Sequence, residues 1–263
     1  MPADANAHTR STPILQVHDL HKSFQGNRVL RGLSFQLHRS RATALIGSNG
    51  AGKSTFLNLL SGLLKADRGT IHLGGRDITH LSSHMRSRAG LARTFQHPRT
   101  FRSLTVLEAV LLAQTPLREE GLGRNLLRTF SSAAPYNSRA VARARECLDR
   151  CQLMPRADVA AAELTYGERK LLMMAQALAF GGDLLCFDEI CAGLEPGLVQ
   201  RISGIVADLV QGGKTVLFIE HNLQLVRDLA DRSVFLHEGT VFREGLTADV
   251  LSDPAVVRLY LGD

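Results

Sequence analysis

Gly47-Ser48-Asn49-Gly50-Ala51-Gly52-Lys53-Ser54-Thr55 is a complete G-x-x-x-x-G-K-[ST] loop, and each position in it has a physical task. The preceding stretch, Arg41-Ala42-Thr43-Ala44-Leu45-Ile46, is short and apolar and reads as a buried strand. The following stretch, Phe56-Leu57-Asn58-Leu59-Leu60, is apolar enough to supply a helix face. Strand, loop and helix in that order make a phosphate cradle. The glycines let backbone N–H groups turn toward a β-phosphate, and the helix N-terminus adds its partial positive charge. Lys53 is placed to reach the β- and γ-phosphates, and the Ser54 hydroxyl to ligate Mg²⁺.

Further along, Leu184-Leu185-Cys186-Phe187-Asp188-Glu189 is an apolar strand that ends in two acids. Strand C-termini are where ligands bind in an open α/β sheet. Downstream of a phosphate loop, Asp188 is expected to hold Mg²⁺ through its water shell. Glu189 is expected to act as the general base on an attacking water.

The rest of the chain supplies a scaffold for these two segments. Ile14–Leu20 and Val29–Leu37 alternate apolar and polar residues as half-buried strands do, with a turn at Phe24-Gln25-Gly26-Asn27. Thr70–Leu73 and Gly90–Phe95 read as further strands. Val106–Gln114, Arg139–Gln152 and Gly167–Phe180 show helical spacing, and a polar, Gly- and Arg-bearing connection spans Thr115–Asn137. Strands then return at Leu184–Phe187, Thr215–Ile219 and Ser233–His237. Strands alternating with helices argue for a parallel sheet, and the antiparallel-looking start for an added β-subdomain.

Bulk properties exclude other classes. At 263 residues there is ample material for a core. Hydrophobic and charged contents of 44% and 21% suit a globular protein. The longest apolar run, Leu171 to Phe180, is interrupted by Gln176 and falls short of the roughly 18–20 residues that span a bilayer. Residues 1–12 are polar and carry Asp4, so they read as a disordered tail rather than a signal peptide or anchor. Cys147, Cys151, Cys186 and Cys191 form no C-x-x-C pair and read as reduced thiols in small apolar sites. Net charge is +6, with Arg86, Arg88, Arg93, Arg99 and Arg102 gathered between Met85 and Leu107 without an acid. Such a cluster suits phosphates, anionic lipid or an acidic partner.

With these segments in order, the chain resembles the nucleotide-binding subunits of ATP-binding cassette (ABC) transporters. Phe24 matches the aromatic that stacks on adenine, and Gln96 in Arg93-Thr94-Phe95-Gln96 matches the glutamine that senses the γ-phosphate and Mg²⁺. Leu164-Thr165-Tyr166-Gly167-Glu168 matches the signature loop, usually Leu-Ser-x-Gly-Gln. Ala192-Gly193-Leu194-Glu195 matches the loop after the second acid, and His221 the switch histidine.

The resemblance implies an α/β fold: a P-loop ABC ATPase with a mixed sheet core, an N-terminal antiparallel β-subdomain and a helical subdomain. It would occupy residues 13–263, with the helical subdomain at about 97–180 and a C-terminal extension at about 238–263. It implies ATP and Mg²⁺ as cofactors and a head-to-tail pair of ATPase subunits. Each ATP would sit between one subunit's phosphate loop, Gly47 to Thr55, and the other's signature loop, Thr165 to Glu168. Hydrolysis would use Glu189 with His221 and Gln96. It further implies transmembrane permease subunits, a substrate-binding protein, no nucleic acid, and a peripheral place on the cytoplasmic side of the inner membrane.

Arg93-Thr94-Phe95-Gln96-His97, Phe101 to Glu108, the 115–137 connection and the ending Tyr260-Leu261-Gly262-Asp263 resemble the branched-chain amino-acid importer branch. Urea or short-amide importers and the lipopolysaccharide-export ATPase share parts of this pattern. A soluble ABC ATPase acting on nucleic acid or ribosomes is the alternative of another class. Its DNA-repair forms carry coiled-coil insertions and its ribosomal forms two cassettes, whereas this chain has no sustained heptads and one cassette. The resemblance also places the strip around Arg99 and Arg102 beside the groove for a permease helix. Four departures bear on turnover: Thr165 for Ser, Glu168 for Gln, Ile190 for Pro, and Glu195 for Asp or Asn.

Overall fold

The computed structural model describes residues 13–93, 104–114 and 138–261. The tail at 1–12, the end of the expected Gly90–Phe95 strand, Gln96, Arg99, Arg102 and the 115–137 connection lie outside them.

β1 (Pro13–Phe24) and β2 (Asn27–His38) pair antiparallel around a Gln25-Gly26 turn with both residues at positive φ. β4 (Arg68–Leu73) pairs with the other edge of β1, and β5 (Arg76–Asp77) with β4, giving an antiparallel sheet in the order β2-β1-β4-β5. The second sheet contains β3 (Ala42–Gly47), β6 (Leu91–Arg93), β7 (Leu184–Asp188), β8 (Thr215–Ile219), β9 (Arg232–His237) and β10 (Thr240–Leu246). Its order is β10-β9-β3-β8-β7-β6, parallel throughout except for β10 at one edge. The sheet is therefore mixed, as the family resemblance implies. β10 was not among the expected strands. It exists because Glu238-Gly239, both at positive φ, turn the chain back on β9.

The central strands read as apolar runs because both faces of the sheet are buried. Alternate residues enter different cores. Ala44, Ile46, Leu185, Phe187, Val216, Phe218 and Phe235 face one hydrophobic cluster. Leu45, Leu184, Cys186, Leu217, Ile219, Val234 and Leu236 face the other. The second cluster also takes the inner face of the antiparallel sheet and α1 (Lys53–Leu60), whose Phe56 meets Phe35 edge-on at 5.1 Å between ring centres. The first takes α3 (Val106–Ala113), α4 (Ser138–Arg150) and α5 (Tyr166–Phe180), which pack on one another, and α6 (Pro196–Gln211). α3 begins with a reciprocal cap between Thr105 and Glu108. α7 (Leu223–Leu229), α8 (Thr247–Ser252) and α9 (Pro254–Leu261) complete the chain. All four cysteines are buried thiols, and burial pushes those of Cys151, Cys186 and Cys191 up to about 12.

The three described arginines of the cluster do not form one surface feature. Arg86, on the short and unforeseen α2 (Ser83–Arg88), is buried. Its guanidinium donates to the carbonyls of Leu59, Leu60, Thr79 and Leu81, closing the C-terminal end of α1. Arg93 is mostly buried as well and points into the sheet's C-terminal edge. Arg88 is exposed. The sequence counted charges but could not show that two of them serve internal carbonyls and a carboxylate.

Candidate functional site

β3, β8 and β7 run parallel side by side, so the segments leaving their C-terminal ends emerge together. The phosphate loop leaves β3, His221 follows β8, and Asp188-Glu189 ends β7. β8 lies between the other two, so His221 leaves the sheet between the phosphate loop and the two acids.

The loop is shaped by close approach. Gly47 has φ 150°, and a Cβ there would collide with the Leu236 carbonyl of β9. Gly52 has φ 99°, and a Cβ there would sit 2.6 Å from Leu30 Cδ2 of the β1–β2 hairpin. The hairpin therefore props the loop. Ser48, Asn49 and Gly50 face solvent in whole or in part, Ala51 is buried, and Ser54 and Thr55 open the first turn of α1. Lys53 Nζ folds back to donate to the Gly47 and Ser48 carbonyls at 2.7 and 2.9 Å. Burial pulls its pKa below the ordinary lysine range, against the attraction of Glu189 and Asp188. A cation held by two backbone carbonyls is ready to exchange them for anionic oxygens.

Asp188 is 3% exposed. Its Oδ2 lies 3.2 Å from Arg93 Nη2, and Oδ1 has no hydrogen-bond partner among the described residues. Burial raises its pKa, with Arg93 opposing. The same arginine donates to Asn58 Oδ1 and Ser61 Oγ at 2.8 and 2.9 Å, lacing the end of β6 to α1. An unpartnered, buried carboxylate oxygen fits the hydration shell of a divalent cation, and Ser54 on α1 offers a hydroxyl of the right kind. Glu189 has φ 50°, unusual for a residue with a side chain. Its amide extends the ladder to the Ile219 carbonyl, and its Oε1 lies 3.1 Å from His221 Nε2. The two groups are thus brought together, as a base and a polar partner need to be.

The signature segment is the N-terminus of α5. Thr165 is its N-cap: Thr165 Oγ1 accepts the Glu168 amide at 3.3 Å, and Glu168 Oε2 accepts the Thr165 amide at 2.8 Å. Thr165 and Tyr166 are exposed, and Gly167 and Glu168 partly so. A Cβ on Gly167 would strike Leu198 of α6, so this glycine also lets two helices approach. Phe24, at the end of β1, is 41% exposed with the Lys22 ammonium 5.4 Å from its ring centre. It is not a core phenylalanine. Gln96 lies outside the described residues.

Residues 30–192 match the sequence profile of the ABC transporter family. The chain belongs to the ABC transporter family. A high-affinity branched-chain amino acid transport ATP-binding protein, LivG of Salmonella typhimurium, is 36% identical over 256 residues, covering 96% of this chain and 99% of that protein. BraF of Pseudomonas aeruginosa, of the same description, is 32% identical over 257 residues, covering 96% and 99%. Among solved structures, an ATP-binding cassette of an ABC transporter in its ADP conformation superposes with a TM-score of 0.85 at 33% identity. That match covers 96% of this chain and all of the other.

Against the ABC transporter pattern, two of the four departures, Thr165 and Glu168, have local explanations. Thr165 keeps a capping hydroxyl. Glu168 is half of a capping box, and its pKa is lowered, first by the Thr165 amide. Ile190 is buried in the core at 3% exposure. Glu195 is the N-cap of α6 yet makes no side-chain cap hydrogen bond, whereas the shorter Asp or Asn is a preferred N-cap.

Three groups at the site were given no role from sequence. Glu220 is 4% exposed and accepts the Cys191 amide at 2.9 Å. Burial pushes its carboxyl up to about 7. The Tyr260 hydroxyl of α9 donates to the His221 carbonyl at 2.7 Å. Lys170 is buried in α5. A lone cation on the face that Met173, Met174 and Ala177 present to the core was the available signal for the last.

Proposed function

We propose that this chain is the ATP-binding and ATP-hydrolysing subunit that powers a membrane importer of branched-chain amino acids. The observation that carries the proposal is the pairing of Glu189 with His221 at 3.1 Å beside the Lys53 loop, in a chain similar to LivG and BraF along nearly its whole length.

Phe24 offers an exposed ring for adenine, and Gly47 to Thr55 cradle the phosphates. The Lys53 ammonium leaves its two carbonyls and donates to the β- and γ-phosphate oxygens. Ser54 and Asp188, with Gln96, would hold Mg²⁺, which when bound neutralises phosphate charge. Glu189 accepts a proton from the attacking water, and His221 keeps that carboxylate oriented. The exposed end of α5 presents Thr165 and the Gly167 amide to the nucleotide of a second ATPase subunit, since first-turn amides lack partners within their own helix. The pair closes on ATP and opens after hydrolysis.

No helix among the described residues is long and apolar enough to cross a membrane. The likeness to LivG and BraF supports work with transmembrane permease subunits, on the cytoplasmic side of the inner membrane, in a complex that also takes a substrate-binding protein. The test is reconstitution. The chain, co-purified with its permeases and placed in liposomes with the binding protein, is expected to drive leucine uptake that depends on enclosed ATP. Uptake of urea but not leucine would overturn the substrate assignment, and no permease in the purified complex would overturn the transport assignment.

A further inference from the structure

Lys170 is 1% exposed, among the most deeply buried large side chains described. Burying an ammonium group is costly unless it is fully used. Among the described residues no carboxylate lies within ion-pair distance of it. Its Nζ instead donates to the Glu189 carbonyl at 2.9 Å and lies 5.5 Å from the centre of the Tyr166 ring.

That carbonyl needs a donor for a geometric reason. Glu189 follows the last residue of β7 and leaves the strand with φ 50°. Its amide stays in the sheet, on Ile219, while the left-handed turn swings its carbonyl out of the ladder toward α5. Glu189 is thus fixed at three points: amide by β8, carbonyl by Lys170, carboxylate by His221. Left-handed backbone at a residue with a side chain persists only when its surroundings hold it. One turn before Lys170 stands Tyr166, whose ring faces the ammonium and whose hydroxyl donates to the Ala192 carbonyl at 3.3 Å. The same helix that carries the signature loop therefore grips the chain on both sides of Ile190 and Cys191.

We propose that Lys170 is a positioning residue for hydrolysis: it holds the Glu189 peptide in the turn that keeps the carboxylate beside His221, and it joins that turn to the signature helix. The proposal rests on Glu189 being the general base. It does not place Lys170 against substrate. A shift of the base by about 1 Å is enough to cost a rate factor of order 100.

The test compares the wild-type complex with Lys170→Met, Glu189→Gln and the double variant, measuring kcat, KM and ATP affinity. Lys170→Met keeps the chain length and removes the donor. Its kcat is expected to fall by about 10-fold or more with KM and ATP affinity within about 2-fold, the signature of an interaction used in the transition state. In the Glu189→Gln background the same change is expected to lower the residual single-turnover rate no further, because the lysine acts through that carboxylate. Should Lys170→Met not fold, Lys170→Gln, whose shorter amide stops short of the Glu189 carbonyl, takes its place with the same expectations. Parental kcat in a folded variant, equal losses of kcat and ATP affinity, additive losses in the double variant, or failure of both substitutions to fold would each overturn the proposal. An active wild type whose Glu189→Gln variant retains full activity would instead overturn the assignment of the base.

Discussion

Arg156 Nε lies 3.1 Å from Glu168 Oε1, so the acid that replaces the usual glutamine of the signature loop carries its own counter-ion. Its other oxygen accepts the Thr165 amide. The added negative charge is thereby spent on the helix N-terminus and Arg156 rather than left facing a polyphosphate. Glu168→Gln keeps an acceptor for Thr165 and loses the ion pair. Since the two side chains are 27% and 40% exposed, the pair contributes no more than about 1 kcal/mol. Denaturation should register a loss within that range, and steady-state hydrolysis should stay within about fivefold of the parent.

Lys53→Ala removes the cation that faces the β- and γ-phosphates. A charge-assisted contact of about 1.5–3 kcal/mol is lost, so ATP affinity measured by calorimetry should fall by more than about 10-fold. Unchanged affinity would refute the phosphate-loop assignment.

Arg86→Met should destabilise the fold without touching nucleotide contacts. Four backbone carbonyls lose the guanidinium at once, two of them at the end of α1, where Leu59 still accepts the Gly62 amide. Buried acceptors left unpaired cost about 1–3 kcal/mol each, and a total of about 3 kcal/mol or more is expected in urea unfolding. A loss below about 1 kcal/mol would mean that water replaces the guanidinium.

Glu220 supplies the pH dependence. Its carboxyl is raised from 4.5 to about 7, chiefly by burial, with Glu189 and Asp188 adding to the rise and Lys170 and the Cys191 amide opposing it. The folded protein therefore binds a proton that the unfolded chain releases. The stability this provides is complete below pH 4.5 and is lost as pH rises through about 7. Glu220→Gln keeps an acceptor for Cys191 and does not titrate. Its stability relative to the parent should rise across that window by at most about 1.4 kcal/mol per pH unit, then level off. Parallel curves for the two proteins would show that Glu220 titrates normally.

Much of this site was legible because its chemistry is local in sequence. Gly47 to Thr55 name their own geometry, and Asp188-Glu189 end an apolar run that could only be a buried strand. Thr215–Ile219 was delimited without error because β-branched and aromatic residues fill both faces of it. What stayed hidden depends on distant pairings. β10 is exposed along most of its length, so it shows no apolar pattern. Arg86 and Arg93 read as surface charge because Leu59, Leu60 and Asp188, which draw them inward, lie 26 to 95 residues away. Lys170 and Glu220 became visible only when the positive φ of Glu189 and the fold of the following loop showed what they hold.

The account turns on Glu189 as the base, and the most direct measurement is the hydrolysis rate of Glu189→Gln beside its ATP-dependent association. The amide can hold the attacking water but cannot take its proton. Hydrolysis should fall by about 10²–10⁴-fold while ATP binding persists, and the variant should elute as a dimer only when ATP is present. Hydrolysis at the parental rate would contradict the account and move the search for the base to His221.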